Sequence, residues 1–326
     1  MPHRIAKQIF NAIQKSRRIL LVPHKNPDGD ALGSVASFMQ FLRSIEKPHT
    51  AFCSSPISDR LNYLPHLEYI TNDKRIWDDP SYDLVIVFDS GDLRYAGIAD
   101  DIAKHRSRLK IINIDHHPTN ELFGDLNLVN TSASSTTEIL YHFFKYNDIT
   151  ITSEIATCLL TGLITDTDNF TNAATSITSF SISSDLISHG GNLNLIRGWV
   201  FQDKSIKALK LWGTVLSRLK KHEDLDIVYT YITQDDLQEH NVNESEAEGL
   251  ANFLNTIGDG KAGLILKELP DGKTKGSFRT THDNVDVGAM SMLFGGGGHK
   301  KAAGFTIDVP YHEAFAYIFT KLSEEK

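Results

Sequence analysis

The stretch HKNPDGD places His24, Asp28 and Asp30 within seven positions, directly after the apolar run RILLV and directly before a helical pattern. Either aspartate alone would cap a helix, so an imidazole with two carboxylates at this spacing suggests ligands for a divalent cation. Two further apolar runs end in the same way. LVIVF is followed by Asp89, and IINI by Asp115, His116 and His117. A helical segment, IATCLLTGLIT, then runs into DTDNF and offers Asp166 or Asp168. Carboxylates mixed with imidazoles, without thiolates, suit Mn²⁺, Mg²⁺ or Fe²⁺ better than a structural zinc. Asp28, Asp30, Asp89 and Asp166 together would bring four negative charges, which two divalent ions neutralise and one does not. Buried without a cation they would be too costly for a structural role. Two ions about 3.5–4 Å apart lower the pKa of a bridging water and hold both the attacking and leaving oxygens of a phosphoryl displacement.

Each residue also has an ordinary use. Asp28 and Asp30 can cap a helix, Asp89 and Asp92 can punctuate a turn, His116 and His117 can be polar loop residues, and Asp166 can close a turn. Their recurrence at successive strand ends favours one shared site.

The elements that must position these groups alternate through the first half of the chain. RILLV precedes a helix over 31–45, in which Leu32, Val35, Met39, Leu42 and Ile45 recur at helical spacing. DLVIVF and LKIINI read as further strands, followed by helices over 134–146 and through IATCLLTGLIT. This β-α-β-α order predicts an α/β fold, a mostly parallel sheet with helices on both faces. Ligands of such sheets bind outside the carboxyl ends of the strands, where the candidate residues fall. Gly29 is expected to let the backbone turn tightly enough for Asp28 and Asp30 to face different ions.

The pattern breaks between Asp185 and Asp203, around SHGGNLN, and the stripe Ile206, Leu209, Trp212, Val215, Leu216, Leu219 predicts a connecting helix. LDIVYTYI and KAGLILKEL then alternate as strands, PDGK forms a turn and KGSFRT completes a hairpin. A helix, a GGGGH loop and the strand AGFTIDV follow. The expected organisation is a metal-binding domain over 1–190, a linker and connecting helix over 191–222, and a smaller α+β domain over 223–326. In the last, Gly295 to Gly298 leave backbone amides uncovered for an anionic group. His299, Lys300 and Lys301 follow, and Arg279 could pair bidentately with a phosphate.

Hydrophobic residues make up 40% of the 326 positions and charged residues 23%, an ordinary globular composition. The net charge of -8, from 41 acidic and 33 basic side chains, argues against a long duplex gripped through many phosphates. Cys53 and Cys158 form no CxxC pair, which fits a reducing compartment. No run approaches the roughly 20 apolar residues of a membrane span. A cytoplasmic protein is expected.

Taken in order, His24 to Asp30, Asp89 after VIVF, Asp115-His116-His117 and Thr165-Asp166-Thr167 resemble the four motifs of the DHH phosphoesterases. GGGGHKKAAGF resembles the substrate-binding signature of the associated DHHA1 domain, so the resemblance covers nearly the whole chain. It implies two Mn²⁺ ions, with Mg²⁺ or another divalent ion able to substitute. His24 and Asp28 would hold one ion, Asp30, His116 and Asp166 the other, and Asp89 would bridge them. It implies a substrate-side catalytic role for His117, with Asp115 orienting a histidine, and substrate recognition by Arg279, Gly296, Gly297, Gly298 and His299. The branch implied is that of nanoRNases and 3′-phosphoadenosine-5′-phosphate phosphatases. These hydrolyse short single-stranded RNA or DNA oligonucleotides or linear dinucleotides to nucleoside 5′-monophosphates by two-metal hydroxide attack. Cyclic dinucleotides are a further candidate substrate, and a homodimer a candidate assembly. The alternatives are a manganese inorganic pyrophosphatase and an inactive nucleotide-binding regulator. One departure stands out: the fourth motif is often TDTG, and here Asp168 takes the glycine's place, with its carboxylate expected in solvent.

Overall fold

In the first strand, ILLV, side chains alternate between two buried faces: Ile19 and Leu21 join one apolar core, Leu20 and Val22 another. Such double burial requires helices or loops on both sides of the sheet. The computed structural model describes residues 3–201, 205–243, 249–254 and 257–325. The chain divides into two compact units, Met1–Asp203 and Lys204–Lys326.

The first unit runs α1 (His3–Lys15), β1 (Ile19–Val22), α2 (Gly29–Ser44), β2 (His49–Phe52), β3 (Ile70–Thr71), β4 (Leu84–Phe88), α3 (Ala99–His105), β5 (Lys110–Asp115), β6 (Leu126–Val129), α4 (Thr136–Tyr146), α5 (Ser153–Asp166), α6 (Ile177–Ser188) and α7 (Leu193–Ile196). Its six strands are all parallel, in the order β3-β2-β1-β4-β5-β6. The order reverses direction between β1 and β4, the position where open α/β sheets leave a crevice for ligands. Leu84, Ile86 and Phe88 of β4 face the core built with α1, α2, α4, α5 and α6, while Val85 and Val87 face Trp77, Tyr82 and Ile102.

Small residues let α2 and α5 cross closely. A Cβ on Gly33 would meet the Cys158 carbonyl oxygen at 2.5 Å, and one on Gly29 would meet Thr165 Cγ2 at 2.5 Å. Gly29 is the first residue of α2 and has no positive φ. Its requirement is therefore contact with α5 rather than the tight turn expected from its place between the aspartates.

The second unit runs α8 (Ile206–Leu216), β7 (Lys220–His222), β8 (Ile227–Ile232), α9 (Gln234–Glu239), α10 (Leu250–Phe253), β9 (Ala262–Glu268), β10 (Thr274–Arg279), α11 (Val287–Met292), β11 (Gly297–His299), β12 (Ala302–Ile307) and α12 (Tyr311–Glu324). Its mixed sheet has the order β11-β12-β10-β9-β8-β7, with β8 and β9 parallel and the other pairs antiparallel. PDGK closes the expected β9–β10 hairpin. Leu264, Leu266, Phe278 and Phe305 pack on one face with Ala314 and Ile318 of α12. On the other, Ile232 and Ile265 pack with Leu211 and Val215 of α8. The GGGGH stretch, expected as a loop, contributes an edge strand: Gly297, Gly298 and His299 pair with Gly304, Ala303 and Ala302.

Candidate metal centre

Every apolar strand around the β1/β4 crevice ends in a residue of the site. His24 follows β1 and is 4% exposed; Asp89 follows β4 and is 2% exposed; Asp115 closes β5 and is fully buried. Asp30 lies in the first turn of α2, also fully buried, and Asp166 ends α5. Asp89 has φ +56°, a left-handed conformation unusual for a non-glycine residue. Its strained turn at the strand end, held by the bond from its amide to the Ile114 carbonyl at 3.0 Å, is a common sign of a functional position.

Asp89 is the hub. Its Oδ2 lies 3.5 Å from His24 Nε2, and its Oδ1 lies 3.6 Å from His116 Nε2 and 3.6 Å from His117 Nδ1. His24 Nε2 is also 3.7 Å from Asp28 Oδ1, and His116 Nε2 is 3.1 Å from Asp166 Oδ2. Three groups of donor atoms result, each within 4.8 Å of one another: His24, Asp28 and Asp89; Asp30, His116 and Asp166; Asp89, His116 and His117. Asp28 also serves as the α2 N-cap, since its Oδ1 accepts from the Asp30 and Ala31 amides at 3.0 and 3.1 Å. Capping and proximity to the imidazole coexist in one carboxylate.

The hydrogen bonds of the three imidazoles fit this use. His24 Nδ1 lies 2.7 Å from the Lys25 carbonyl, His116 Nδ1 3.4 Å from the Ala133 carbonyl and His117 Nδ1 2.7 Å from Asp115 Oδ1. An acceptor at Nδ1 holds the proton there and leaves Nε2 with its lone pair, the arrangement usual for ligating histidines. For His117, occupation of Nδ1 by Asp115 argues against ligation through that nitrogen.

The electrostatics call for a cation. Burial and the neighbouring Asp166 and Asp89 carboxylates raise Asp30 well above the usual range. Burial likewise pushes Asp166 up to about 6, against the pull of His116 and with the repulsion of Asp89 and Asp28. Burial lowers His24 and His116, yet their carboxylate neighbours prevail and raise them to about 11 and about 10. Crowded carboxylates that must take up protons, or keep neighbouring imidazoles protonated, form a donor set suited to divalent ions.

Two residues absent from the sequence expectations complete the cluster. The N-terminus of α4 points at Asp30: the Thr136 and Thr137 amides donate to its Oδ2 and Oδ1 at 2.6 and 2.9 Å, and the Thr137 hydroxyl donates at 2.8 Å. The Thr136 hydroxyl donates to Asp89 Oδ1 at 2.9 Å. The available signal was the hydroxyl-rich SSTTE opening a helix, which reads as an ordinary cap, a role Ser135 does fill. Asn120 is a third: its Nδ2 donates to Asp115 Oδ2 at 2.6 Å and to Asn113 Oδ1 at 2.7 Å. Asp168 is exposed, belongs to none of the three donor groups and has φ +47°, which explains why a glycine suits this position.

The residues expected to read substrate all lie in the second unit. Arg279 and His299 both pair with Ala302, one from each side, so the three form one row across the sheet. Arg279 donates from Nη1 to the Phe278 carbonyl at 2.8 Å. Gly298 has φ +145°, and a Cβ there would meet the Ala302 carbonyl oxygen at 2.6 Å. A Cβ on Gly296 would collide with Gly304 and Phe305, whereas Gly297 faces open space.

The DHH family N-terminal domain matches residues 18–163 and the DHHA1 domain residues 224–324, and the chain belongs to this family of divalent-metal-dependent phosphoesterases. It is 26% identical over 324 residues to the bifunctional oligoribonuclease and PAP phosphatase NrnA of Thermus thermophilus, covering 99% of this chain and 94% of that one. Identity to the Bacillus subtilis protein of the same name is 25% over 305 residues, 92% of each chain. The solved structure of an exopolyphosphatase-related protein from Bacteroides fragilis superposes with a TM-score of 0.90 at 26% identity, covering 98% of this chain and 96% of that one. Among the described residues no helix is long and apolar enough to cross a membrane.

Proposed function

We propose that the protein is a Mn²⁺-dependent phosphodiesterase that hydrolyses short oligoribonucleotides and linear dinucleotides to nucleoside 5′-monophosphates. 3′-Phosphoadenosine 5′-phosphate is its second substrate class. The observation that carries this reading is the sharing of Asp89 between a donor group with His24 and Asp28 and the neighbours of a second with Asp30, His116 and Asp166. A carboxylate with one oxygen toward each group suits a bridge between two ions. When bound, such a pair supplies an acidified water and charge neutralisation at a phosphoryl group.

The chain's own residues do the rest. Asp28, Asp30, Asp89 and Asp166 hold the charge that retains the ions, and His24 and His116 present Nε2 to them. Thr136 and Thr137 fix the oxygens of Asp89 and Asp30 that would otherwise swing. His117 is held through Nδ1 by Asp115. Burial lowers its pKa, but Asp115 and Asp89 prevail and raise it, so the ring carries a second proton that Nε2 directs to a phosphate oxygen or to the leaving oxygen. In the DHHA1 domain, Arg279, the backbone of Gly296 to Gly298 and His299 offer groups that recognise a phosphate or base of the substrate. Names carried by relatives at 25–26% identity support the substrate classes.

The test is a side-by-side turnover assay with Mn²⁺ on 5′-phosphorylated diadenylate, a longer oligoadenylate, 3′-phosphoadenosine 5′-phosphate and pyrophosphate. The dinucleotide should have the highest kcat/KM. Faster pyrophosphate turnover would overturn this assignment.

A further inference from the structure

Beyond the carboxyl ends of β2 and β3 lies a cavity of about 440 Å³, lined among others by Cys53, Ser55, Ile57, Glu68, Tyr69 and Asn72. We propose that it is a nucleoside subsite, receiving the base and ribose of a nucleotide whose phosphate sits at the Asp89 cluster. The inference rests on the phosphodiesterase reading above.

Three observations carry it. First, the cavity shares a wall with the loop after β1 that bears His24. The Asn26 amide donates to Ser55 Oγ at 2.6 Å, and Cys53 Sγ lies 3.9 Å from the His24 carbonyl oxygen. In doubly wound sheets a nucleotide whose phosphate lies beside the first strand extends its ribose over the neighbouring one, and here that strand is β2. Second, the only charge among the lining residues is acidic, Glu68. A phosphate would be repelled, whereas ribose hydroxyls or a base amino group can donate to that carboxylate. Third, Ile57 and Ile70 add apolar side chains to the lining, and Tyr69, 55% exposed at the rim with the Arg43 guanidinium 5.6 Å from its ring centroid, adds an aromatic surface for a base. Most of the lining is polar, and Ser55, Thr71 and Asn72 add hydrogen-bonding groups that ribose hydroxyls and base edges can use.

The test uses the full chain with Mn²⁺ and two variants, Ile57→Trp to fill the cavity and the exposed-site change Glu68→Ala. For each, KM is measured for 5′-phosphorylated diadenylate and for bis(4-nitrophenyl) phosphate, a diester without nucleosides. Both variants should raise the ratio of the two KM values, Ile57→Trp by about tenfold. An unchanged ratio in both would overturn the subsite while leaving the phosphodiesterase reading intact. If the wild type turns over neither diester, that reading falls, and equilibrium titration with adenosine 5′-monophosphate decides the subsite. Weakened binding in the variants supports it and equal binding overturns it.

Discussion

Asp115 Oδ1 lies 2.7 Å from His117 Nδ1, and the carboxylate's other oxygen accepts from Asn120 Nδ2 at 2.6 Å. Burial alone would raise Asp115, but His117 and Asn120 hold it below the usual carboxylate range, so it remains a charged anchor for the ring. The pair fixes which nitrogen of His117 faces the site. Replacing Asp115 with Asn should lower kcat by about 10–100-fold with a smaller change in KM. The double variant with His117→Ala should be hardly slower than His117→Ala alone, because the two residues act as a unit. Steady-state kinetics on the dinucleotide checks this, and additive losses would separate the two roles.

Thr136 ties the two carboxylates that face the proposed ions, through its amide to Asp30 and its hydroxyl to Asp89. Thr136→Val removes only the second bond. Mn²⁺ affinity measured by calorimetric titration should fall by about tenfold. Stability of the metal-free protein should fall by about 1 kcal/mol.

Gly162 of α5 sits where a Cβ would collide with Thr137 Oγ1 and Asp30 Oδ1. Gly162→Ala should therefore cost about 1–3 kcal/mol in urea denaturation and weaken Mn²⁺ binding by displacing the Asp30 carboxylate. An ordinary helical glycine would respond in the opposite direction, gaining stability on the change to alanine.

In the second unit, Asp236 is 3% exposed and bonds Arg218 through both oxygens, at 2.6 and 2.7 Å. Burial raises its carboxyl, but Arg218 and the Thr233 cap prevail and hold it below the usual range. A carboxyl depressed on folding contributes stability above its unfolded pKa, near 3.9, and loses it as pH falls through the folded value. Arg218→Gln should lower stability by about 1.5 kcal/mol at pH 7, the low end for a charged bond because the arginine side chain is 29% exposed. The gap from wild type should narrow below about pH 4. Denaturation at pH 7 and pH 3 checks both the size and the direction.

The parallel sheet was legible where strands were continuous apolar runs, as in β1, β4 and β5, because burial on both faces leaves that pattern. The ligand-like residues stood out because each run ended in one. Strand β2 (HTAF), the two-residue β3 and β6 (LNLV) were not legible, being short or mixed with polar residues and fixed by pairing with stronger neighbours. GGGGH read as a loop because glycine disfavours strands, while its pairing with β12 is a tertiary fact. The same holds for Thr136 and Thr137. Their hydroxyls announce a helix start, but only the packing of α2, α4 and α5 turns that start toward Asp30 and Asp89.

The most direct test of the two-ion phosphodiesterase account is turnover of 5′-phosphorylated diadenylate by metal-stripped protein, before and after Mn²⁺ is restored, alongside Asp89→Asn. The account predicts no turnover without metal, release of adenosine 5′-monophosphate once Mn²⁺ is added back, and none from Asp89→Asn at any Mn²⁺ concentration. Full turnover by the stripped protein, or by Asp89→Asn with Mn²⁺, would contradict it.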